Sequence, residues 1–229
     1  MTDVIDQTDL EKTGTVFSAD QMLSVRGMTR AAIHEIAGKI KPGMVEEDAV
    51  DMAKEILAGH GMLRGWHDVY VRFGPNTTKT FGAASDPGIV LGDNDIFFLD
   101  IGPVWQTWEG DGGDTFLTGT NAQMARCAED ARTLFHIVRK KWEDEGATGK
   151  ALYTFAEGKA AEMGWELNLD LSGHRISDFP HAAVYDGPMA TVPFCPSPLI
   201  WVLEIHIRHP TEQYGAFFED MLLDDGYFN

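Results

Sequence analysis

The sequence predicts an α+β fold in which two successive helix, helix, strands halves share one antiparallel sheet. Two observations predict it. Apolar residues recur at helical spacing in two separate pairs of segments, and each pair is followed by short strand-like runs. No Gly/Ser linker or low-complexity tract separates the halves. No residue-level repeat accompanies the recurrence. The 229 residues therefore read as one domain over 18–229 behind a polar tail at 1–17.

Each element has its own signal. Ser18 and Gln21 are spaced as a capping box, with Phe17 and Met22 as its hydrophobic staple. Met22, Val25, Ala32, Ile36 and Ile40 carry an apolar stripe to a stop at Lys41-Pro42-Gly43. A second helix covers about 46–58 and ends at Gly59–Gly61. Residues 66–74, WHDVYVRFG, alternate as a strand does; 74–88 are loop by composition; 95–102, 104–108 and 115–118 are strands. Asn121 caps a long helix whose face is Met124, Ala128, Ala131, Phe135, Val138 and Trp142. A shorter helix at about 150–163 ends at Gly164, WELNLDL is strand-like, and two strands surround Glu204 and Glu219.

Composition excludes several roles. Lys+Arg 18 against Asp+Glu 36 gives a net charge of −18, which disfavours nucleic acid and anionic membrane as partners. The N-terminus has no basic and apolar leader pattern, and no run reaches the length of a membrane span, so a cytoplasmic protein is expected. Cys127 and Cys195 form no CxxC or zinc-ligand spacing and read as reduced thiols.

The chemistry lies in carboxylates that interrupt apolar runs. Asp100 follows Phe97-Phe98-Leu99, Glu204 breaks LIWVLEIHI, and Glu219 breaks GAFFEDMLL. Alone, each such residue is explained by a structural ion pair. Together with Asp111, in the Gly-rich GDGGD, and His174, in GHR, they make a set of four carboxylates and one imidazole. In a dry pocket the set would repel itself, and two divalent cations would offset its charge. An oxygen-rich set with one nitrogen and no thiolate suits manganese first, then iron(II) or cobalt, and admits zinc. A metal pair activates water and polarises a carbonyl, so metal-assisted hydrolysis is the expected chemistry.

These motifs resemble the pita-bread metallopeptidases: methionine aminopeptidase, aminopeptidase P, prolidase and the non-peptidase creatinase. Asp100 and Asp111 within DIGPVWQTWEGDGGDTF fit the family's spaced Asp pair; Gly173–His174 fits its GH; Glu204 fits its strand Glu; GAFFED fits its terminal GxRxED. The resemblance covers about 18–229 and implies the pita-bread fold, two pseudo-symmetric halves around a curved antiparallel sheet. It also implies two divalent metal ions and cleavage of a peptide or amide C–N bond, with a small peptide or amide as substrate. A homodimer is a mild family expectation. Asp100 would chelate one metal, Asp111 and Glu219 would bridge both, and His174 and Glu204 would complete the other. Glu219 would also shuttle a proton. His181 would contact the substrate carbonyl or its oxyanion.

The departures concern what surrounds the ligands. Gly82 stands where relatives carry a loop His, leaving Lys79 or His67 as substitutes. Asp114 and Phe217 replace two family arginines, and Ile205–His206 replaces the Pro-Gly after Glu204. His206, two residues beyond Glu204 on the strand, shares its face and is expected to replace the missing His or to bind substrate. Trp105, Trp108, Phe179 and Phe218 are readable either as a substrate pocket or as core. The N-terminal domain of prolidase, aminopeptidase P and creatinase has no counterpart here. The altered surroundings leave two alternatives to an aminopeptidase or prolidase-like enzyme: a creatinase-like enzyme acting on a small nitrogenous metabolite, and an inactive binding module.

Overall fold

A computed structural model describes residues 7–62, 64–179, 185 and 187–227. Its helices are α1 (Gln7–Leu10), α2 (Ala19–Lys39), α3 (Glu46–Gly59), α4 (Ala122–Glu145) and α5 (Gly149–Met163). Its strands are β1 (Arg64–Gly65), β2 (Tyr70–Phe73), β3 (Ile96–Ile101), β4 (Pro103–Trp105), β5 (Trp108–Glu109), β6 (Gly112–Leu117), β7 (Glu166–Leu167), β8 (His174–Arg175), β9 (Trp201–Arg208) and β10 (Gly215–Met221).

The main sheet runs β2-β3-β6-β10-β9-β7, with β8 also paired to β9, and every pairing is antiparallel. The two halves meet where β6 lies beside β10. A smaller sheet, β1-β4-β5, forms a flap next to β3. Helices α2 and α3 pack on β2, β3 and β6, whereas α4 and α5 pack on β9, β10 and β7. Two apolar cores follow: Ile33, Ile36, Leu57, Phe73 and Leu99 under the first pair, and Phe135, Trp142, Leu152, Trp201 and Leu203 under the second. Burial of such large apolar side chains, about 1.5–3 kcal/mol each, holds helices to sheet. The sheet is thus covered on one face by helices, and its other face is free to build a site.

Local chemistry explains where helices start and stop. Asn121 Oδ1 accepts from the N–H groups of Gln123 and Met124, satisfying otherwise orphan donors at the start of α4. Gly146 and Gly164 end α4 and α5 in the left-handed conformation. The capping box read at Ser18 does not form: the Ser18 side chain makes no cap hydrogen bond at α2.

Three other expectations change. Residues 66–69 of WHDVYVRFG are not strand, because β1 ends at Gly65 and β2 begins at Tyr70. WELNLDL contributes only Glu166–Leu167. The described part of the 1–17 tail is docked: Glu11 accepts from Ser197 N, Ser197 Oγ and Trp201 Nε1 at 2.7–2.8 Å. Cys127 and Cys195 are both free thiols. No helix among the described residues is long and apolar enough to cross a membrane.

Candidate metal centre

Strand register sets the acidic residues in one row. Asp100 on β3 pairs with Gly113 on β6, Gly113 pairs with Glu219 on β10, and Glu219 pairs with Glu204 on β9. Directly opposed residues project to the same face, so the three carboxylates converge across the seam between the halves. Asp111, two residues before Gly113, joins them on that face.

His174 arrives on β8, opposite Val202 of β9. The glycine before it is required. Gly173 has φ +72°, and a Cβ there would lie 2.6 Å from the Val202 carbonyl oxygen. That turn also aims the Gly173 N–H at Glu204 Oε2, 2.6 Å away. The β9 backbone at Glu204 is pinned by Tyr153, whose hydroxyl donates to the Glu204 carbonyl at 2.9 Å.

All five residues line one cavity of about 270 Å³, walled by Trp66 and Phe81 and holding His67 as well. Its described lining contains no lysine or arginine. His174 Nε2 lies 2.9 Å from Asp111 Oδ2, while His67 Nε2 lies 3.3 Å from Asp111 Oδ1 and 3.5 Å from Asp100 Oδ1. The Glu204 and Glu219 carboxyls hydrogen-bond one another.

Burial and crowding determine where protons reside. Burial lifts Asp100 to about 7 despite the opposing His67. Burial would raise Asp111 too, but hydrogen bonds and charge from His174 and His67 hold it down at about 2. Burial, reinforced by Asp111, Asp100 and Glu204, pushes Glu219 well above the carboxylate range. The imidazoles respond in the opposite sense. Burial lowers both, yet the adjacent carboxylates prevail, taking His67 to about 9 and His174 to about 10.

This donor set fits divalent cations. Glu219 Oε1 is buried without a hydrogen-bond partner, although buried carboxylate oxygens are normally satisfied. Two groups of potential ligand atoms, His67-Asp100-Asp111 and Asp111-His174-Glu219, each lie within 4.8 Å of one another and share Asp111. Oxygen donors with imidazole nitrogen suit manganese, iron, cobalt or zinc.

The structure moves His206 away from this chemistry. It shares Glu204's face as expected, but one row along, opposite Phe217. Both ring nitrogens are occupied there: Nε2 lies 2.7 Å from the Thr77 carbonyl and Nδ1 3.0 Å from the Asn168 amide. Fully buried beside Phe98 and Phe217, it is held to about 3 and stays neutral. His206 is outside the cavity lining, so neither a catalytic nor a substrate-binding role follows for it. His181, the other imidazole expected to be catalytic, lies outside the described residues.

Of the two substitutes considered for the missing loop His, Lys79 and His67, the structure brings His67 to the cluster, whereas Lys79 pairs with Asp86 at 3.0 Å. Gly82 is an exposed turn residue with φ +73°. Trp105, Trp108, Phe179 and Phe218 are absent from the described lining; Phe218 packs on Phe135 of α4 instead.

The replaced arginine at Asp114 has an explanation on the reverse face, and the one at Phe217 has an explanation in apolar packing. Arg132 of α4 bonds Asp114 at 2.8 Å. Arg26 of α2 grips Asp220 through two 2.7 Å bonds, with Arg30 at 3.2 Å. Phe217 joins Phe98 and Leu171 in a small apolar cluster.

Residues 20–223 match the family model of metallopeptidase family M24. Among solved structures, the chain superposes on an X-Pro aminopeptidase from Thermotoga maritima with TM-score 0.72 at 18% identity, covering 94% of this chain and 60% of that one. For a prolidase from Pyrococcus furiosus the values are 0.69, 20%, 96% and 64%. For a methionine aminopeptidase from Thermotoga maritima they are 0.66, 16%, 96% and 94%. The fold is therefore the pita-bread architecture these structures share, and the chain spans about 60% of the length of the first. No curated protein matches the chain by sequence.

Proposed function

Because the chain belongs to metallopeptidase family M24, we propose that it is a metal-dependent hydrolase that cleaves the C–N bond of a small peptide, in the manner of an aminopeptidase or X-Pro peptidase. One observation carries this reading: four buried carboxylates and an imidazole line a single cavity whose described walls offer no lysine or arginine to neutralise them. Asp100, Asp111, His174, Glu204 and Glu219 would hold two divalent ions, manganese first by donor type. Bound there, the ions would supply Lewis acidity to acidify water and polarise a carbonyl.

The chain's own residues have separate tasks. His174 is oriented by its Nδ1–H, which donates to the Arg175 carbonyl at 2.8 Å and leaves Nε2 directed at Asp111. Glu204 is fixed by the Gly173 N–H. Glu219, with an unpartnered Oε1, is suited to take a proton from the attacking water and deliver it to the leaving nitrogen. Trp66 and Phe81 give one side of the cavity an apolar wall.

A second reading, a small non-peptide amide as substrate, is favoured by the cavity's modest 270 Å³ and by Gly82 in place of a loop histidine. Turnover of the metal-loaded chain on dipeptides, tripeptides, X-Pro peptides and small amides decides between them. Chelator-sensitive release of an N-terminal residue supports the peptidase; turnover confined to small amides supports the second reading. No turnover on either, in a chain that binds metal, contradicts both.

A further inference from the structure

His67 reaches the cluster by a route of its own. Pairing of β1 with β4, Gly65 opposite Pro103, carries the chain across Gly102, and Trp66 N donates to the Gly102 carbonyl at 2.9 Å. Gly102 makes room for this crossing. A Cβ there would lie 2.1 Å from His67 Cδ2, 2.3 Å from His67 Nε2 and 2.6 Å from Trp66 Nε1.

The ring is oriented as His174 is. Its Nδ1 lies 2.6 Å from the Asp68 carbonyl, which can only accept, so Nδ1 carries the hydrogen. Nε2 therefore faces Asp111 Oδ1 and Asp100 Oδ1, at 3.3 Å and 3.5 Å, and it is the neutral ring, its Nε2 proton released, that would present a lone pair there to a metal ion. Without metal a proton on Nε2 relieves the repulsion among these atoms, and a bound cation would take the proton's place. Both distances are longer than the about 2.7–2.9 Å of a charge-assisted hydrogen bond. Two donors bonded to one ion at about 2.1 Å and about 90–110° apart are separated by about 3.0–3.4 Å. The 3.3 Å spacing to Asp111 lies within that range, and the 3.5 Å spacing to Asp100 lies just beyond it.

Building on the reading of this cluster as a metal centre, we propose that His67 is a metal ligand, adding nitrogen to the ion beside Asp100, whose other near donors, Asp111 and Glu219, are oxygens. Asp111 thereby lies between two imidazoles, one on each oxygen. The added nitrogen favours cobalt, iron(II) or zinc over magnesium and calcium at that position.

Calorimetric and visible-absorption titration of the full chain with cobalt(II) tests this. Wild type is expected to bind two ions; His67→Gln is expected to weaken one at least ~10-fold and to alter its spectrum while the other persists. Gly102→Ala, which pushes the ring away, is expected to do the same. Unchanged affinities and spectrum in His67→Gln would overturn the proposal while leaving the metal centre standing. A wild type that binds no ion would overturn both. Should the variants misfold by circular dichroism, X-ray absorption of the wild-type two-cobalt chain decides: scattering from two imidazoles supports the proposal, and from one refutes it.

Discussion

Glu219 and Asp220 are neighbours on β10, both carboxyl side chains and both almost fully buried, yet the fold treats them in opposite ways. Asp220 points toward the helices, where Arg26 grips both its oxygens and Arg30 adds a third contact. Asp114, also on the helix side, has Arg132 at 2.8 Å and Arg30 at 3.8 Å. Glu219 points to the other face, among Asp100, Asp111 and Glu204, with Oε1 unpartnered. A sequence able to supply three arginines to one face leaves them out of the described lining on the other. Buried carboxylates left this way are costly, and their requirement for a cation is the physical content of the site.

Substitutions on the two faces should therefore have opposite signatures. The largest effect is expected for Glu219→Gln, which should abolish turnover and metal binding while stabilising the metal-free chain by relieving repulsion. Thermal melts with and without manganese check it: wild type should gain about 2.7 kcal/mol for each ion at a hundredfold excess over its Kd, and the variant should gain nothing.

Asp220→Ala should do the reverse, destabilising by about 3 kcal/mol with metal stoichiometry intact. The cost lies at the low end for a broken buried pair because Arg26 and Arg30 keep 18% and 22% side-chain exposure. Urea unfolding measures it. His206→Gln should cost about 1–2 kcal/mol for its two buried hydrogen bonds and leave kcat unchanged. A large loss of kcat in a folded variant would return His206 to the site.

Protons and metal ions compete for the same atoms. Asp100 at about 7, His67 at about 9 and His174 at about 10 are raised, so the metal-free chain keeps these protons at neutral pH and must release them to bind. Affinity should climb as pH rises from about 6 to 10, by up to about 1.4 kcal/mol per pH unit for each displaced proton. A flat profile would mean the ions bind elsewhere.

The five proposed ligands were legible because apolar runs do not tolerate isolated carboxylates, and because register follows from alternation once the strands are placed. The α+β architecture was legible from helical stripes that repeat in pairs. The two imidazoles nearest the question were harder. His206 was placed on the right face, but which row it occupies depends on β9–β10 register, and its capture by Thr77 and Asn168 is a long-range contact. His67 was named beside Lys79 as a substitute for the loop His, but the alternation of WHDVYVRFG set it on a strand that begins only at Tyr70, so its place beside Asp100 and Asp111 was not legible. The one local signal was Gly102, a residue without a side chain just after the Asp100 strand, and its meaning depends on what crosses it. The docking of Glu11 was invisible because its partners, Ser197 and Trp201, lie far along the chain.

The central claim is that the helix-free face of the sheet is a cradle for two cations. Calorimetric titration of the chelator-stripped full chain with manganese(II) near neutral pH tests it most directly. The account predicts two ions bound per chain at micromolar concentration or below, with protons released on binding. A chain that stays folded and binds none at micromolar manganese, cobalt or iron(II) would contradict it.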